Sequence, residues 1–350
     1  MENPKYYQID YAKAIGILLV IIGHVIFHQE NPELYLANIS TFIYSFHIPL
    51  FFILSGLVTG LKFQSNIEKK TKKDELFKLF KRLFIPYIIW SLIYIFFTFI
   101  FIVSNSPDSL SNVIFEKLYS TICLHGISPL WFLSNLFITL VIFYSFLFLK
   151  FQNTYNIPCH IIAIIITFIL SLYINQIFNP YPFKMKILYL YPIIAISRIV
   201  TSLFFIEIGY LLSKIWKKYL NLNFNLRLIC FFIILILIIL LKDIFFYRNF
   251  LYIFLIQDMK SFFITGILGS LFIISFSCLL EKEICFFSDI GKNTLNIMAL
   301  HYPPIPINAF LVFVFSLLGF DDSVFIFSIV LLSICYYLST LLYKINKVDK

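Results

Sequence analysis

The sequence predicts an all-α integral membrane protein, a bundle of about ten transmembrane helices with the N- and C-termini cytoplasmic. Three observations predict it. Hydrophobic residues make up 61% of the 350-residue chain and charged residues 13%, whereas a soluble domain runs at roughly 45–50% apolar and about 25% charged. Apolar runs approaching the length that crosses a bilayer core, about 20 residues, recur along the whole chain. The positive charges between those runs fall mainly on alternate connections. A mean hydropathy of +0.92 excludes a soluble enzyme, a disordered chain and a collagen-like sequence. The six cysteines are scattered with no CxxC pair, so they read as apolar fillers of helices and give neither a metal site nor a secreted disulfide framework.

The runs lie near residues 12–29, 40–60, 83–104, 129–149, 158–178, 191–213, 225–241, 261–280, 293–318 and 323–343. The first is read as a span and not a cleaved signal, because it lacks a small-residue cleavage site and leads into a second span. The longest polar segment is 62–82. Residues 1–350 are therefore expected to form a single transmembrane domain with no separate soluble domain. Translocated loops avoid Lys and Arg. With the N-terminus inside, 20 of the 27 positives fall on the inner face, 6 on the outer face, and Arg198 lies within a span. The net charge of +9 is thus an inner-face bias and calls for membrane lipids rather than nucleic acid. Eight positives between Lys62 and Arg82 face Glu68, Asp74 and Glu75. They suit anionic lipid headgroups or a phosphorylated cytosolic ligand.

Ionisable groups inside a span are costly and mark function by default. In the first span Lys13 and His24 are eleven steps apart. At 100° per residue they lie about 20° from a whole number of turns, on one face and roughly 16 Å apart along the axis. Taken singly, Lys13 could snorkel to the interface and His24 could hydrogen-bond a neighbouring helix. The second span carries His47, then Pro49, which should kink it, and Ser55 and Gly56, which permit close helix approach. Lys78, Lys81 and Arg82 precede the third span, and Lys78 and Arg82 share a face suited to phosphate. Pro86 falls early in that span, where a missing N–H is tolerated. His125 reads as a solvated residue of an outer loop and Trp131 as an interface anchor. Arg198 and Glu207 in the sixth span are nine steps apart and point to opposite sides. Each needs a partner on another helix, and inner-loop lysines are expected to meet Glu207. His301 is followed by Pro303, Pro304 and Pro306, and broken helix at membrane depth usually lines a cavity. Such an interior suits a catalyst or a transporter.

These segments, in this order, resemble the acyltransferase-3 family of multi-pass membrane acyltransferases. IDYAKAIGILLVIIGH carries a basic residue and a histidine separated by ten residues, Lys13 and His24. FHIPLFFILSG, KRLFIPYIIW, WFLSNLFITLVIFY, Arg198 with IEIGYLL, and IGKNTLNIMALH follow, from about residue 6 to 302. One departure is visible: Leu79 stands where the family often has the first of two arginines three apart, Arg82 matching the second. The resemblance implies transfer of an acyl group, usually acetyl, from cytoplasmic acyl-CoA to a hydroxyl of a surface polysaccharide or its lipid-linked precursor. It implies a bacterial cytoplasmic membrane, acetyl-CoA or another acyl-CoA as donor substrate, a glycan or lipid-linked sugar as acceptor, and no metal. On that expectation Lys13, Lys78, Lys81 and Arg82 hold the CoA phosphates and His24 is the general base or carries a transient acyl group. Arg198 or another cation stabilises the oxyanion, and His47, Glu207 and His301 serve catalysis or acceptor binding. The rival class is a transporter or flippase for a polar or lipid-linked sugar.

Overall fold

The computed structural model describes residues 6–29, 31–65, 72–105, 110–148, 157–178, 188–247, 249–302, 305–317 and 323–348. Fourteen α-helices occupy them: α1 Tyr7–Phe27, α2 Leu34–Ser65, α3 Lys72–Leu79, α4 Ile85–Asn105, α5 Leu110–Ile122, α6 Trp131–Phe148, α7 Ile157–Phe178, α8 Tyr191–Leu220, α9 Phe224–Phe245, α10 Met259–Leu279, α11 Cys285–Lys292, α12 Thr294–Leu300, α13 Pro306–Leu317 and α14 Val324–Val348. Among the described residues the sole β pairing is an isolated bridge between Phe250 and Leu255. Among the described residues nine helical segments are long and apolar enough to cross a membrane, matching nine of the ten predicted runs. The other run, 293–318, is split into α12 and α13 around His301. Pro306 opens α13, where its missing N–H costs nothing. Pro303 and Pro304, and residues 66–71 of the basic loop, lie outside the described residues.

Two connections differ from the sequence reading. The third span does not begin near residue 83; helix is continuous from Lys72, so Pro86 is interior. Its absent N–H is accommodated by a π turn over Phe80–Phe84, in which the Ile85 N–H reaches back to the Phe80 carbonyl. Such single π turns are frequent at functional sites, and this one carries Lys81 and Arg82. The expected outer loop before residue 128 contains α5, too short and too polar to register as a span. By contrast α2 runs on through Pro49.

The helices form two compact units. The first comprises Ile48–Leu222 and Asn249–Ile267, and its centre is a close crossing of α2 and α8. A Cβ on Gly56 would stand 2.1 Å from the Ile206 carbonyl oxygen, and one on Gly209 would stand 2.0 Å from that of Ile53. The two backbones therefore touch reciprocally, as small residues allow in a bilayer. Gly60, one turn on from Gly56, meets the Ser213 side chain in the same way. The rings of Phe204 and Phe263, 4.1 Å apart, and of Phe205 and Phe262, 5.6 Å apart, extend this core onto α10.

The second unit comprises Lys5–His47, Asn223–Arg248 and Leu268–Lys350. Helix α1 buries Ile9, Tyr11, Ala12, Ala14, Ile17 and Ile21. A Cβ on Gly291 would lie 2.0 Å from the Asp10 carbonyl oxygen, so α11 rests directly on the α1 backbone. The Tyr11 hydroxyl donates to the Lys282 carbonyl at 2.8 Å and accepts the Ile284 N–H. Tyr7 donates to the Glu281 carbonyl. Arg227 of α9 donates to the Cys278 carbonyl and pairs with the Glu281 carboxylate at 2.6 Å. The α10–α11 connection is thereby tied to both α1 and α9. Only Arg227 and Ile238 of α9 are buried; Phe231 packs on Phe272 and Phe276 of α10 at 5.2 and 5.9 Å, and the exposed apolar remainder suits lipid.

Candidate active site

The α1 stripe read from the sequence ends in a group of rings, all in the second unit. His24 is half-buried, and its Nδ1 is buried without a hydrogen-bond partner. The His301 ring, just past the end of α12, lies 5.3 Å away. His301 Nδ1 faces the Ile297 carbonyl at 3.2 Å, so it carries the proton and Nε2 is the basic nitrogen. That Nε2 is also buried and unpartnered. The edge of Tyr302 meets His24 at 5.0 Å, and Tyr44 stands 6.2 Å away on α2. Helix α2 comes this close because position 23 is glycine: a Cβ there would press on Ile43 and Tyr44 at 3.2 Å. His47 lies 5.0 Å beyond Tyr44 and donates from Nδ1 to the Ile43 carbonyl at 2.9 Å. Three histidines from three separate sequence segments thus meet in one ring cluster. Buried polar atoms without partners are few in folded proteins, and two on adjacent rings make a site ready for a polar reactant.

At the other end of the stripe, Lys13 Nζ lies 3.5 Å from Asp10 Oδ1. Asp10 Oδ2 accepts from the Ser288 hydroxyl at 3.4 Å. Asp10 aims the ammonium while leaving it partly exposed.

The first unit holds the other ionisable residues. Arg198 is fully buried. Nη1 and Nη2 both donate to the His125 carbonyl at 3.1 Å, Nη2 also to His125 Nδ1 at 2.9 Å, and Nε to the Ile194 carbonyl at 3.3 Å. The guanidinium lies 5.1 Å over the Trp131 ring. His125 stacks on Tyr191 at 4.1 Å, whose hydroxyl donates to Glu116 at 2.9 Å. The loop so gripped is strained at Leu124 and Ser128, whose φ angles are 58° and 48°, while Gly126 adopts φ 80° without steric cost. His125 is therefore buried rather than solvated, and Trp131 is a core residue rather than an interface anchor. Glu207 pairs with His160 Nδ1 at 2.6 Å, not with inner-loop lysines. On the basic segment, Lys78 pairs with Glu75 at 3.0 Å, Lys81 lies 4.5 Å over the Phe77 ring, and Arg82 is exposed.

A family model described as an acyltransferase domain, acyltransferase-3, matches residues 6–343. The chain belongs to the acyltransferase-3 family. A curated relative, nodulation protein NolL of Mesorhizobium japonicum, is 33% identical over 94 residues, which are 26% of this acyltransferase-3 chain and 25% of NolL. The chain thus spans about a quarter of the length of the curated relative it matches. No solved structure matches.

The acyltransferase-3 fold brings His24, His47 and His301 together, with Lys13 on the same helix as His24. It places Arg198, Glu207, Lys78, Lys81 and Arg82 in the first unit. Sequence reasoning passed over Tyr44, Tyr302, Asp10 and His160. His160, in the apolar run IPCHIIAIII, carries the same polar-in-span signal as His47 and was open to the same rule. The tyrosines carried no signal among 22 of their kind.

In this acyltransferase-3 chain the latch around His125 has a pH consequence. Burial, then the positive charges of Arg198 and Lys117, push its pKa down from 6.5 to about 3. The unfolded chain binds that proton below about pH 6.5 and the folded chain does not, so stability falls as pH drops from there toward 3. Thermal melting of detergent-solubilised protein between pH 7 and 4 is expected to decline less steeply for His125→Gln than for wild type; parallel declines would count against a neutral His125.

Proposed function

We propose that this chain is a membrane O-acyltransferase, moving an acetyl group from acetyl-CoA, or another acyl group from its acyl-CoA, to a hydroxyl of a surface polysaccharide or its lipid-linked precursor. Family membership supports the reaction class. The observation that carries the site is the pair of buried, unpartnered imidazole nitrogens, His24 Nδ1 and His301 Nε2, the first on the helix stripe that begins at Lys13 and the second on a ring 5.3 Å from it. The acceptor hydroxyl gives its proton to His24, which acts as the general base. The acceptor oxygen bonds to the thioester carbonyl carbon, the C–S bond breaks, and the proton passes from His24 to the departing CoA thiolate. An acyl-imidazole on His24 followed by a second transfer balances equally well. Lys13, held by Asp10, is the second-unit candidate for the CoA phosphates; Lys78, Lys81 and Arg82 are those of the first unit. Arg198 has its guanidinium turned to the His125 loop, and we assign it to holding that loop. The setting is the bacterial cytoplasmic membrane, with CoA on the side of the lysine-rich loops.

The test supplies isotopically labelled acetyl-CoA and n-octyl glucoside to purified protein in lipid nanodiscs. Release of free CoA together with acetylated glycoside is expected. Absence of both, with sugar translocation in vesicles retained, would establish a transporter instead.

A further inference from the structure

The stripe on α1 does not stop at His24. His28 lies four residues further, about 40° round and roughly 6 Å along the axis, at the end remote from Lys13. It caps the helix: its N–H reaches the His24 carbonyl at 3.2 Å. His28 is exposed. Its ring packs 5.6 Å from Tyr302, the same tyrosine whose edge meets His24 at 5.0 Å. Phe27, 45% exposed, lies 5.7 Å from His28 and 6.2 Å from Tyr44. Aromatic rings and an imidazole thus border the approach to His24 from the far end of its helix.

The geometry points to an acceptor subsite here, formed by His28, Tyr302 and Phe27 and taking one pyranose ring of the glycan. This rests on the O-acyltransferase reading above. A sugar ring has an apolar C–H face that packs on aromatic rings and a rim of hydroxyls that bonds to imidazole. Largely apolar walls with a few convergent polar groups are the usual make-up of a small-molecule site. A lipid tail would use Phe27 but has nothing to offer His28. Tyr302 touches both His28 and His24, so a sugar resting there sets one hydroxyl beside the imidazole.

The test measures KM for n-octyl glucoside and for acetyl-CoA separately in His28→Ala, His28→Gln, Tyr302→Ala and Tyr302→Phe, each checked for folding by thermal melting. His28→Ala and Tyr302→Ala are expected to raise the glycoside KM about tenfold, in line with loss of a polar or stacking contact, with the acetyl-CoA KM at its wild-type value. Tyr302→Phe keeps the ring and should retain most of the affinity, and His28→Gln, which keeps a hydrogen-bonding group, should lie between. A glycoside KM that follows alkyl-chain length and ignores both residues would make the rings a lipid surface and overturn the subsite. An equal rise in both KM values would do the same. A wild-type protein that neither releases CoA nor acetylates the glycoside would overturn the O-acyltransferase reading itself.

Discussion

His24→Ala is expected to lower acetyl-transfer turnover by about 10²–10⁴-fold, the usual contribution of a positioned general base. The loss should come without a matching loss of stability. His24 Nδ1 has no hydrogen-bond partner to forfeit, and the neighbouring contacts are ring edges of Tyr302, Tyr44 and His301 at 5.0–6.2 Å. Truncation therefore removes van der Waals contact but leaves no bonded group stranded. Measuring turnover and melting temperature on the same preparation separates the two effects. Near-normal turnover in a folded His24→Ala protein would remove His24 from the mechanism. His301→Ala should fall between the variant and wild type if the second imidazole only orients the reactants.

Arg198→Met has the opposite profile. Methionine fills much of the volume but supplies no donor. The His125 carbonyl and Nδ1 lose their guanidinium partner, and the cation over Trp131 is gone. Hydrogen bonds from a charged donor contribute about 1.5–3 kcal/mol each, and these share an acceptor, so a destabilisation on the order of 3–5 kcal/mol is expected. Three positive-φ residues lie in the same loop; Ser134 and Ser120 also hold it, through the Leu124 and Gly126 carbonyls at 2.9 Å, but neither bonds the His125 carbonyl. Arg198→Lys should recover little, because a single ammonium cannot reproduce the planar fork. Thermal melting of both variants in one detergent measures this. A melting temperature near wild type for Arg198→Met would show that the loop holds its shape by other means.

The spans were legible because a bilayer leaves few choices: helix is forced, and its length is fixed by the hydrocarbon thickness. The Lys13–His24 stripe was legible because helical phase is set by counting. What escaped depends on contacts distant in the chain. His125 sits in an outer connection with ordinary loop sequence; Arg198, 73 residues away, and the stacked Tyr191 ring hold it inside. Tyr302 is one tyrosine among many until α12 places it against α1. The π turn before Pro86 was hidden because the proline matched a helix start as well as an accommodated interior.

The reciprocal contact of α2 and α8 bears on how mutational data for this chain should be interpreted. Every amino acid other than glycine carries a Cβ, and at Gly56 and Gly209 that atom alone meets an opposing carbonyl at 2.1 and 2.0 Å. No missense codon at either site is a conservative one. In a saturation scan scored by growth or product, both positions would show the same blanket intolerance as a reacting histidine, though neither touches a reactant. Intolerance to every substitution marks backbone contact here as readily as chemistry, and only a measure of folded protein tells them apart.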